Sequence, residues 1–170
     1  MTELTTERLI IRPFEEEDFD EHYASVFSDP LVMRYLPGGK PIPEDRARSA
    51  IARFIDSWTT SGYGLSAVFR KEDNRLIGHC GLQNLAGTED TEIAYALAPH
   101  CWGVGYATEA AKRCRDFGFE NLGLARIVAI AVHANAPSRR VIEKLGMSYE
   151  RDDRFFDLDV AFYSLDRPGR

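Results

Sequence analysis

Apolar residues recur along the chain with two different spacings, which predict an alternation of strands and helices. In the amino-terminal part, a short strand is predicted at 8–12, and Pro13 ends it. Two amphipathic helices are predicted at 15–27 and 44–59, because their apolar side chains return every three or four residues. A turn and a loop rich in Pro and Gly separate these helices, at 29–41.

The remaining residues predict three consecutive antiparallel strands, then a helix, a strand, a second helix and a final hairpin. These elements are placed at 65–69, 76–82, 91–97, 105–121, 127–132, 135–145, 148–155 and 159–165. The run at 127–132 is almost continuously apolar, which is typical of a strand that is covered on both faces. The order of elements predicts a mixed α/β fold, with one sheet and flanking helices in a single domain over 1–170.

The composition restricts the class of protein and its partners. Of the 170 residues, 44% are hydrophobic and 28% are charged, which is typical of a globular chain. The net charge of −6 and the lack of a basic stripe argue against a nucleic-acid partner. No apolar run has the length of a membrane span, and no apolar signal region opens the chain. An acidic run at 15–21 is interpreted as the solvated first turns of a helix, where carboxylates suit the helix dipole.

Three cysteines, Cys80, Cys101 and Cys114, show no paired spacing, which favours reduced thiols in a cytoplasmic protein. Cys80 and Cys114 occupy apolar positions and are predicted to be small core residues. Cys101 adjoins a glycine-containing loop, where partial exposure is an alternative to the more typical role of a small core residue. No spacing of His, Cys and Asp residues indicates a metal site.

The loop at 102–108 reads Trp-Gly-Val-Gly-Tyr-Ala-Thr and lies between a predicted strand and a predicted helix. Neither Gly103 nor Gly105 carries a β-carbon, so the chain can turn tightly there and approach a ligand. The helix that follows offers unpaired N–H groups and the positive end of its dipole, which bind an anion without Lys or Arg. The loop therefore predicts a pyrophosphate site, with a purely structural strand-to-helix turn as the alternative.

Four motifs follow one another along nearly the whole chain. They lie at 6–13 (TERLIIRP), at 29–36 (DPLVMRYL), at 92–95 with 102–110, and at 135–138 with 143–147. In this order they resemble the GNAT superfamily of acyl-CoA N-acyltransferases, and most of all its branch of RimJ- and RimL-like ribosomal-protein N-terminal acetyltransferases. The resemblance implies a mostly antiparallel sheet with a splayed parallel pair of strands. It also implies acetyl-CoA as co-substrate, direct transfer in a ternary complex, and a monomer or homodimer.

The resemblance assigns roles within the two cofactor segments. The loop N–H groups hold the pyrophosphate, the backbone N–H near Leu97 faces the thioester oxygen, and Asn135 and Ser138 contact the pantetheine arm and the sulfur. The implied cofactor-binding residues are Leu97, Trp102, Gly103, Val104, Gly105, Tyr106, Ala107, Thr108, Asn135 and Ser138.

Glu92 is the candidate general base. An acid inside an otherwise apolar strand is costly to bury unless it is paired, exposed or functional, and a carboxylate acting through water can take the proton of an amine. A position at the exposed start of the strand is the alternative. His133 is a second candidate base, although a lone His is more typical of the surface. Ser138 is expected to hydrogen-bond the departing thiolate.

Many members of the superfamily place a Tyr general acid early in the last helix, where this chain has Ile142. The absence of this Tyr is the one feature that supports an alternative function, a CoA-binding sensor or interaction module with weak or no turnover. A CoA thiol resembles free Cys, with a pKa of roughly 8.5, so the thiolate leaves with little need of a proton. The sequence therefore predicts an active N-acetyltransferase without that Tyr.

The acceptor is expected to be a primary amine, either the α-amine of a protein or peptide, or a small amine or amino acid. Its site is predicted between the segments 27–36, 37–43 and 154–159. The residues predicted to line it are Met33, Tyr35, Phe155 and Phe156. Core packing is the alternative role for each aromatic side chain.

Overall fold

The computed structural model describes residues 2–169, and eight strands form one sheet in the order β1-β2-β3-β4-β5-β6-β8-β7. The strands are β1 Leu4–Thr5, β2 Leu9–Pro13, β3 Leu65–Arg70, β4 Arg75–Asn84, β5 Thr91–Leu97, β6 Arg126–Val132, β7 Ser148–Phe155 and β8 Leu158–Asp166. Every neighbouring pair is antiparallel except β5 and β6, which are parallel. The predicted mixed α/β fold is confirmed, and β1 is a short addition that the sequence pattern did not indicate.

Helices cover both faces of the sheet. They are α1 Phe19–His22, α2 Pro30–Met33, α3 Glu44–Ser61, α4 Tyr106–Glu120 and α5 Ala136–Lys144. The predicted helix at 15–27 is a composite, because a 3-10 turn precedes α1 and a π-helical segment, Tyr23–Phe27, follows it. Among residues 2–169, no helix is long and apolar enough to cross a membrane.

The hydrophobic core has a layer on each face of the sheet. On one face α4 and α5 pack against the strands through residues such as Ile93, Cys114 and Ile142. On the other face the segments from α1 to α3 bury their apolar side chains, and a smaller cluster lies around Val128. Ile127 and Val128 are both fully buried in different clusters, so β6 is covered on both faces, as the apolar run predicted.

The parallel pair of strands touches at one position only. Glu92 of β5 is paired with Val128 of β6, and no further register position joins these strands within residues 2–169. The two strands therefore separate toward the end of β5 at Leu97. This confirms the splayed parallel pair and creates the opening beside which the candidate site lies.

The interpretation of the whole acidic run as solvated was wrong at one position. Asp18, in the acidic run, is only 8% exposed, because its carboxylate receives two hydrogen bonds of 2.8 Å from the Arg12 guanidinium and one from the Glu15 N–H. Cys101 is 2% exposed and belongs to the core, so the alternative of partial exposure does not hold. The three cysteines are all buried free thiols.

A pair of buried histidines joins the helical layer to the sheet. His22 Nε2 and His79 Nδ1 lie 2.9 Å apart, and Phe14 and Phe27 pack edge-on against the His22 ring. Burial lowers the pKa of both imidazoles, that of His79 to about 4. Both rings are therefore neutral in the folded protein at pH 7.

We expect the contribution of His79 to the free energy of unfolding to decrease as the pH falls from about 6.5 to about 4. In the unfolded chain His79 takes up a proton near pH 6.5, whereas in the folded protein it stays neutral down to about pH 4. The unfolded state binds more protons in this range, which costs about 3 kcal/mol of stability. Urea denaturation at a series of pH values measures this slope, and His79→Gln should flatten it.

Glu92 offsets the histidine effect over much of the same pH range. Burial raises the pKa of its carboxyl from 4.5 to about 7, so the folded state keeps a proton that the unfolded state releases. The stability contributed by this group therefore falls as the pH rises from 4.5 to 7. The dependence of the unfolding free energy on pH is therefore best measured in the Glu92→Gln protein. If adding His79→Gln leaves the slope of this dependence unchanged, the assignment of the slope to His79 is contradicted.

Candidate active site

A cavity of about 310 Å³ opens at the carboxyl end of β5. Four segments line it: α2 with the turn after it, the last residues of β5, the loop at 101–108, and one side of α5 with its cap. These segments are far apart in the sequence, and they contain parts of the three motifs that follow the first strand. The cavity is therefore the place where the fold brings the predicted cofactor segments together.

The loop before α4 has the conformation that an anion site needs. Gly103 and Gly105 have φ values of 78° and 90°, in the left-handed region that side chains rarely adopt. Gly105 caps α4, and the first backbone bond across the helix start runs from Glu109 N–H to the Gly105 carbonyl at 3.0 Å. The N–H groups of the first turn, 106–108, have no partners within the helix and are available to a phosphate.

Arg8 and Glu109 tie the first long strand to this loop, an interaction that the sequence analysis missed. The Arg8 guanidinium donates to the Val104 carbonyl at 3.0 Å and to the Glu109 carboxylate at 2.7 Å. The same carboxylate accepts from the Arg8 N–H at 2.9 Å and from the Thr6 hydroxyl at 2.6 Å. The arginine in the predicted apolar strand at 8–12 was the only sign of this interaction. Nothing in the sequence indicates that its partner is Glu109, 101 residues away.

We expect Arg8→Met to weaken acetyl-CoA binding about tenfold, because the loop loses its tie and Glu109 keeps an unbalanced charge near the phosphates. Turnover at saturating acetyl-CoA should change little, since Arg8 is remote from the reacting atoms. Calorimetric titration with acetyl-CoA measures the affinity, and Arg53→Met on the exposed face of α3 is the control. Wild-type affinity in a folded Arg8→Met protein would contradict this role.

Trp102 closes the loop onto the end of β5. Its indole N–H donates to the Leu97 carbonyl at 2.7 Å, while 45% of the side chain stays exposed. The carbonyl and N–H of one strand residue point to the same edge of the strand. The Leu97 N–H is therefore directed away from β4, toward the side on which β6 has separated, and this supports its predicted contact with the thioester oxygen.

The start of α5 brings two further predicted residues to the cavity. Asn135 caps the helix, and its side-chain oxygen accepts from the Ser138 N–H at 3.3 Å. Both residues line the cavity. Ile142 is 1% exposed and packs in the core, so its position offers no group to the cavity.

Tyr95 is a cavity residue that the sequence analysis did not select. Its hydroxyl lies 3.0 Å from Ser138 Oγ and 3.1 Å from the Ser138 carbonyl oxygen. The signal was present, because strand alternation places Tyr95 on the same face as Ile93 and Leu97. Strand alternation does not show what a side chain reaches, and only the structure places the Tyr95 hydroxyl beside α5.

Glu92 is buried, and the alternative of an exposed start of the strand was wrong. The residue is 6% exposed, and the Gln83 side-chain amide donates to its carboxylate at 3.1 Å. Burial raises the pKa of the carboxyl to about 7, and the Gln83 hydrogen bond opposes this shift. Glu92 does not line the cavity, and about 16 Å of extended strand separates it from Leu97. Its role as base remains a prediction that requires intervening water.

The predicted acceptor residues lie in different places. Tyr35 lines the cavity, whereas Met33 is buried in the core layer of the α1 to α3 segments and Phe155 packs beside the Val128 cluster. Phe156 is exposed at the turn of the final hairpin, with a φ of 53°. The structure therefore brings only the α2 side of the predicted acceptor site to the cavity. His133 is a surface residue, 3.1 Å from Asp152.

Three cations line the cavity. Arg34 follows α2, while Arg140 and Lys144 lie one turn apart on α5. None of the three forms an ion pair with another residue of the part of the chain that the structure describes. Together with the free N–H groups of α4, they make the cavity suited to a ligand that carries several phosphates. The residues present therefore fit a CoA thioester.

The comparisons with known proteins agree with this arrangement. Residues 8–148 match the family model of the acetyltransferase (GNAT) domain. The uncharacterized N-acetyltransferase YnaD of Bacillus subtilis (strain 168) is 34% identical over 86% of this chain and 83% of its own. An acetyltransferase (GNAT family) from Bacillus anthracis superposes with a TM-score of 0.85 at 29% identity, over 98% of this chain and 99% of its own.

A more distant structure shares the fold. RimL, a ribosomal L7/L12 alpha-N-protein acetyltransferase in complex with coenzyme A, has a TM-score of 0.81 at 15% identity, covering 97% of this chain and 98% of its own. The chain belongs to the GNAT acetyltransferase family and is an acetyl-CoA-dependent acetyltransferase.

Proposed function

We propose that the protein transfers the acetyl group of acetyl-CoA directly to a primary amine in a ternary complex. The observation that carries this proposal is the single cavity that unites the loop at 102–108, the end of β5 and the start of α5 beside α2. The acceptor is the α-amine of a protein or peptide in the first place, and a small amine or amino acid in the second. The proposal places the chain in the RimJ- and RimL-like branch of the family.

In this mechanism the chain holds the thioester and orients it. The first N–H groups of α4 bind the pyrophosphate, and the Thr108 hydroxyl lies beside them at the cavity wall. Asn135 lies along the pantetheine arm, and the Leu97 N–H stabilises the oxyanion that develops on the thioester carbonyl. Arg140 and Lys144 balance phosphate charge at the other end of the ligand.

The reaction moves one acetyl group and one proton. The neutral amine attacks the thioester carbonyl, a C–N bond forms, and the C–S bond breaks to release the CoA thiolate. The amine proton passes through water to Glu92, whose pKa of about 7 suits a general base at neutral pH. Ser138 donates a hydrogen bond to the departing sulfur, and no covalent enzyme intermediate is required.

The α2 side of the cavity supports an amine that enters from outside. Tyr35 and Leu36 line the wall there, and Leu31 is 52% exposed at the rim. In this proposal the acceptor amine enters past these residues and meets the thioester at the end of β5. The buried free thiols are typical of a reducing compartment, and a cytoplasmic location forms part of the proposal.

The test combines acetyl-CoA binding with acceptor-dependent thiol release. Calorimetry measures binding, and release is followed across a panel of peptides with free or blocked α-amines, small amines and amino acids. Release with free but not blocked peptides would establish the α-amine acceptor. Thiol release with small amines or amino acids alone would show that the acceptor belongs to the second class. Tight acetyl-CoA binding without thiol release from any amine would contradict both proposed acceptor classes.

A further inference from the structure

The hydroxyl groups of Tyr95 and Ser138 form a pair at the wall of the cavity. Their oxygens are 3.0 Å apart, and the Tyr95 oxygen is also 3.1 Å from the Ser138 carbonyl oxygen. The two residues belong to β5 and α5, and α4 and β6 lie between these elements along the chain. Both line the cavity that contains the predicted cofactor segments. The pair therefore lies at the boundary between the core and the ligand space.

The contacts allow two arrangements of hydrogen bonds, because a phenol has one proton to donate. In the first, Tyr95 donates to the Ser138 carbonyl and the Ser138 hydroxyl donates back to the Tyr95 oxygen. In the second, Tyr95 donates to Ser138 Oγ, and the serine proton turns toward the cavity. Both acceptors lie within hydrogen-bond distance of the same phenol, so little movement separates the two arrangements.

A negative charge in the cavity favours the second arrangement. An anion near Ser138 attracts the serine proton, and the phenol then supports the serine oxygen by donating to it. Burial raises the pKa of the Tyr95 hydroxyl above its usual value of 10, so the phenol keeps its proton at neutral pH. The pair is thus a donor of hydrogen bonds and not a source of a transferred proton.

We propose that Tyr95 is a positioning residue for the acetyl transfer: through Ser138 it directs a hydrogen bond to the CoA sulfur as the C–S bond breaks. This inference rests on the proposed function. The sulfur leaves as a thiolate, and no proton moves along the pair. Many members of the superfamily carry a general acid where this chain has the buried Ile142. In this chain the hydrogen bond from the hydroxyl pair stabilises the thiolate instead, without transferring a proton.

The experiment compares Tyr95→Phe, Ser138→Ala and the double variant. Tyr95→Phe should lower kcat about 10- to 100-fold, as expected for one hydrogen bond to a developing charge, with acetyl-CoA affinity nearly unchanged. Because Tyr95 acts through Ser138, the double variant should be no slower than Ser138→Ala alone. Tyr63→Phe is the control, since Tyr63 packs against the same core without a hydrogen bond from its hydroxyl among the described residues.

A second readout needs no acceptor. Free CoA is bound to each variant, and the pKa of its thiol is measured from the ultraviolet absorbance of the thiolate. The hydroxyl pair should hold this pKa below the roughly 8.5 of a free thiol, and Tyr95→Phe and Ser138→Ala should each raise it by the same amount. A melting curve for each variant shows that the fold is retained.

The outcomes separate this inference from the proposed function. A wild-type protein that binds CoA with a lowered thiol pKa, lost in Tyr95→Phe, supports the hydroxyl pair even where no tested acceptor reacts. A wild-type protein that turns over while Tyr95→Phe keeps full kcat and the same thiol pKa would overturn the inference alone. Additive losses in the double variant would also overturn it, because Tyr95 would then act independently of Ser138.

Discussion

Replacement of Gly105 by Val is expected to weaken acetyl-CoA binding about 100-fold. Gly105 has a φ of 90°, a conformation that is strained for any side chain and most of all for a β-branched one. A β-carbon there would also lie 3.4 Å from the Arg8 guanidinium that ties the loop. The variant must therefore change the loop conformation, which turns the first N–H groups of α4 away from the phosphates.

The magnitude follows from the number of hydrogen bonds that the loop supplies. Two charge-assisted bonds from backbone N–H groups to a phosphate are together worth about 3 kcal/mol, and each 1.4 kcal/mol is about tenfold in affinity. Calorimetric titration with acetyl-CoA measures the loss.

Gly62→Val is the matched control, because Gly62 has a φ of 75° at the end of α3, far from the cavity. It carries the same backbone strain, of about 1 to 2 kcal/mol, without touching the ligand. We expect it to lower the melting temperature while acetyl-CoA affinity stays at the wild-type value. A folded Gly105→Val protein that binds acetyl-CoA as the wild type does would remove the loop from the cofactor site.

Glu92→Gln is expected to lower kcat/KM for the amine about 100-fold near pH 7.5, at the lower end of what a general base contributes. The wild-type rate should rise with an apparent pKa of about 7, as the buried carboxyl loses its proton. Below this pH the carboxyl is protonated and cannot accept the amine proton. The deficit of the variant should therefore grow as the pH rises through about 7 and keep its full size above that pH.

The variant separates catalysis from stability. Gln is close in size to the protonated carboxyl and keeps an oxygen for the Gln83 hydrogen bond, so the strand should remain intact. Acetyl-CoA affinity should not change, because Glu92 does not line the cavity. Glu89→Gln, at an exposed acid in the turn before β5, is the control. Unchanged turnover and an unchanged pH profile in Glu92→Gln would exclude Glu92 as the base.

The order of strands and helices was predictable because each element carries its own apolar period. The alternation in β5 and the continuous apolar run of β6 placed both strands correctly, and their splayed parallel pairing followed from the resemblance. The π-helical turn after α1 was not predictable, since its apolar residues also fit an ordinary helix. Short elements such as β1 have too few residues to show a period.

The site was predictable where its chemistry is local and not where it depends on distant pairing. Glycines beside a helix start mark the loop, and Asn135 has the position of a cap. The burial of Asp18 depends on the reach of the Arg12 guanidinium, and the contact between the Tyr95 and Ser138 hydroxyls depends on how close α5 comes to β5. Such distances depend on how whole elements pack together, and the apolar pattern of a single strand does not report them.

The ties from Glu109 to Thr6 and Arg8 couple the occupancy of the cavity to the order of the amino-terminal strands. A ligand that favours the ordered loop also favours the hydrogen bonds that this carboxylate makes to residues about a hundred positions earlier. Because such coupling is reciprocal, we expect acetyl-CoA, if it orders the loop as proposed, to lower the population of molecules in which the first strands have detached. By the same linkage, a force that pulls these strands away from the sheet should lower the affinity of the loop for its ligand.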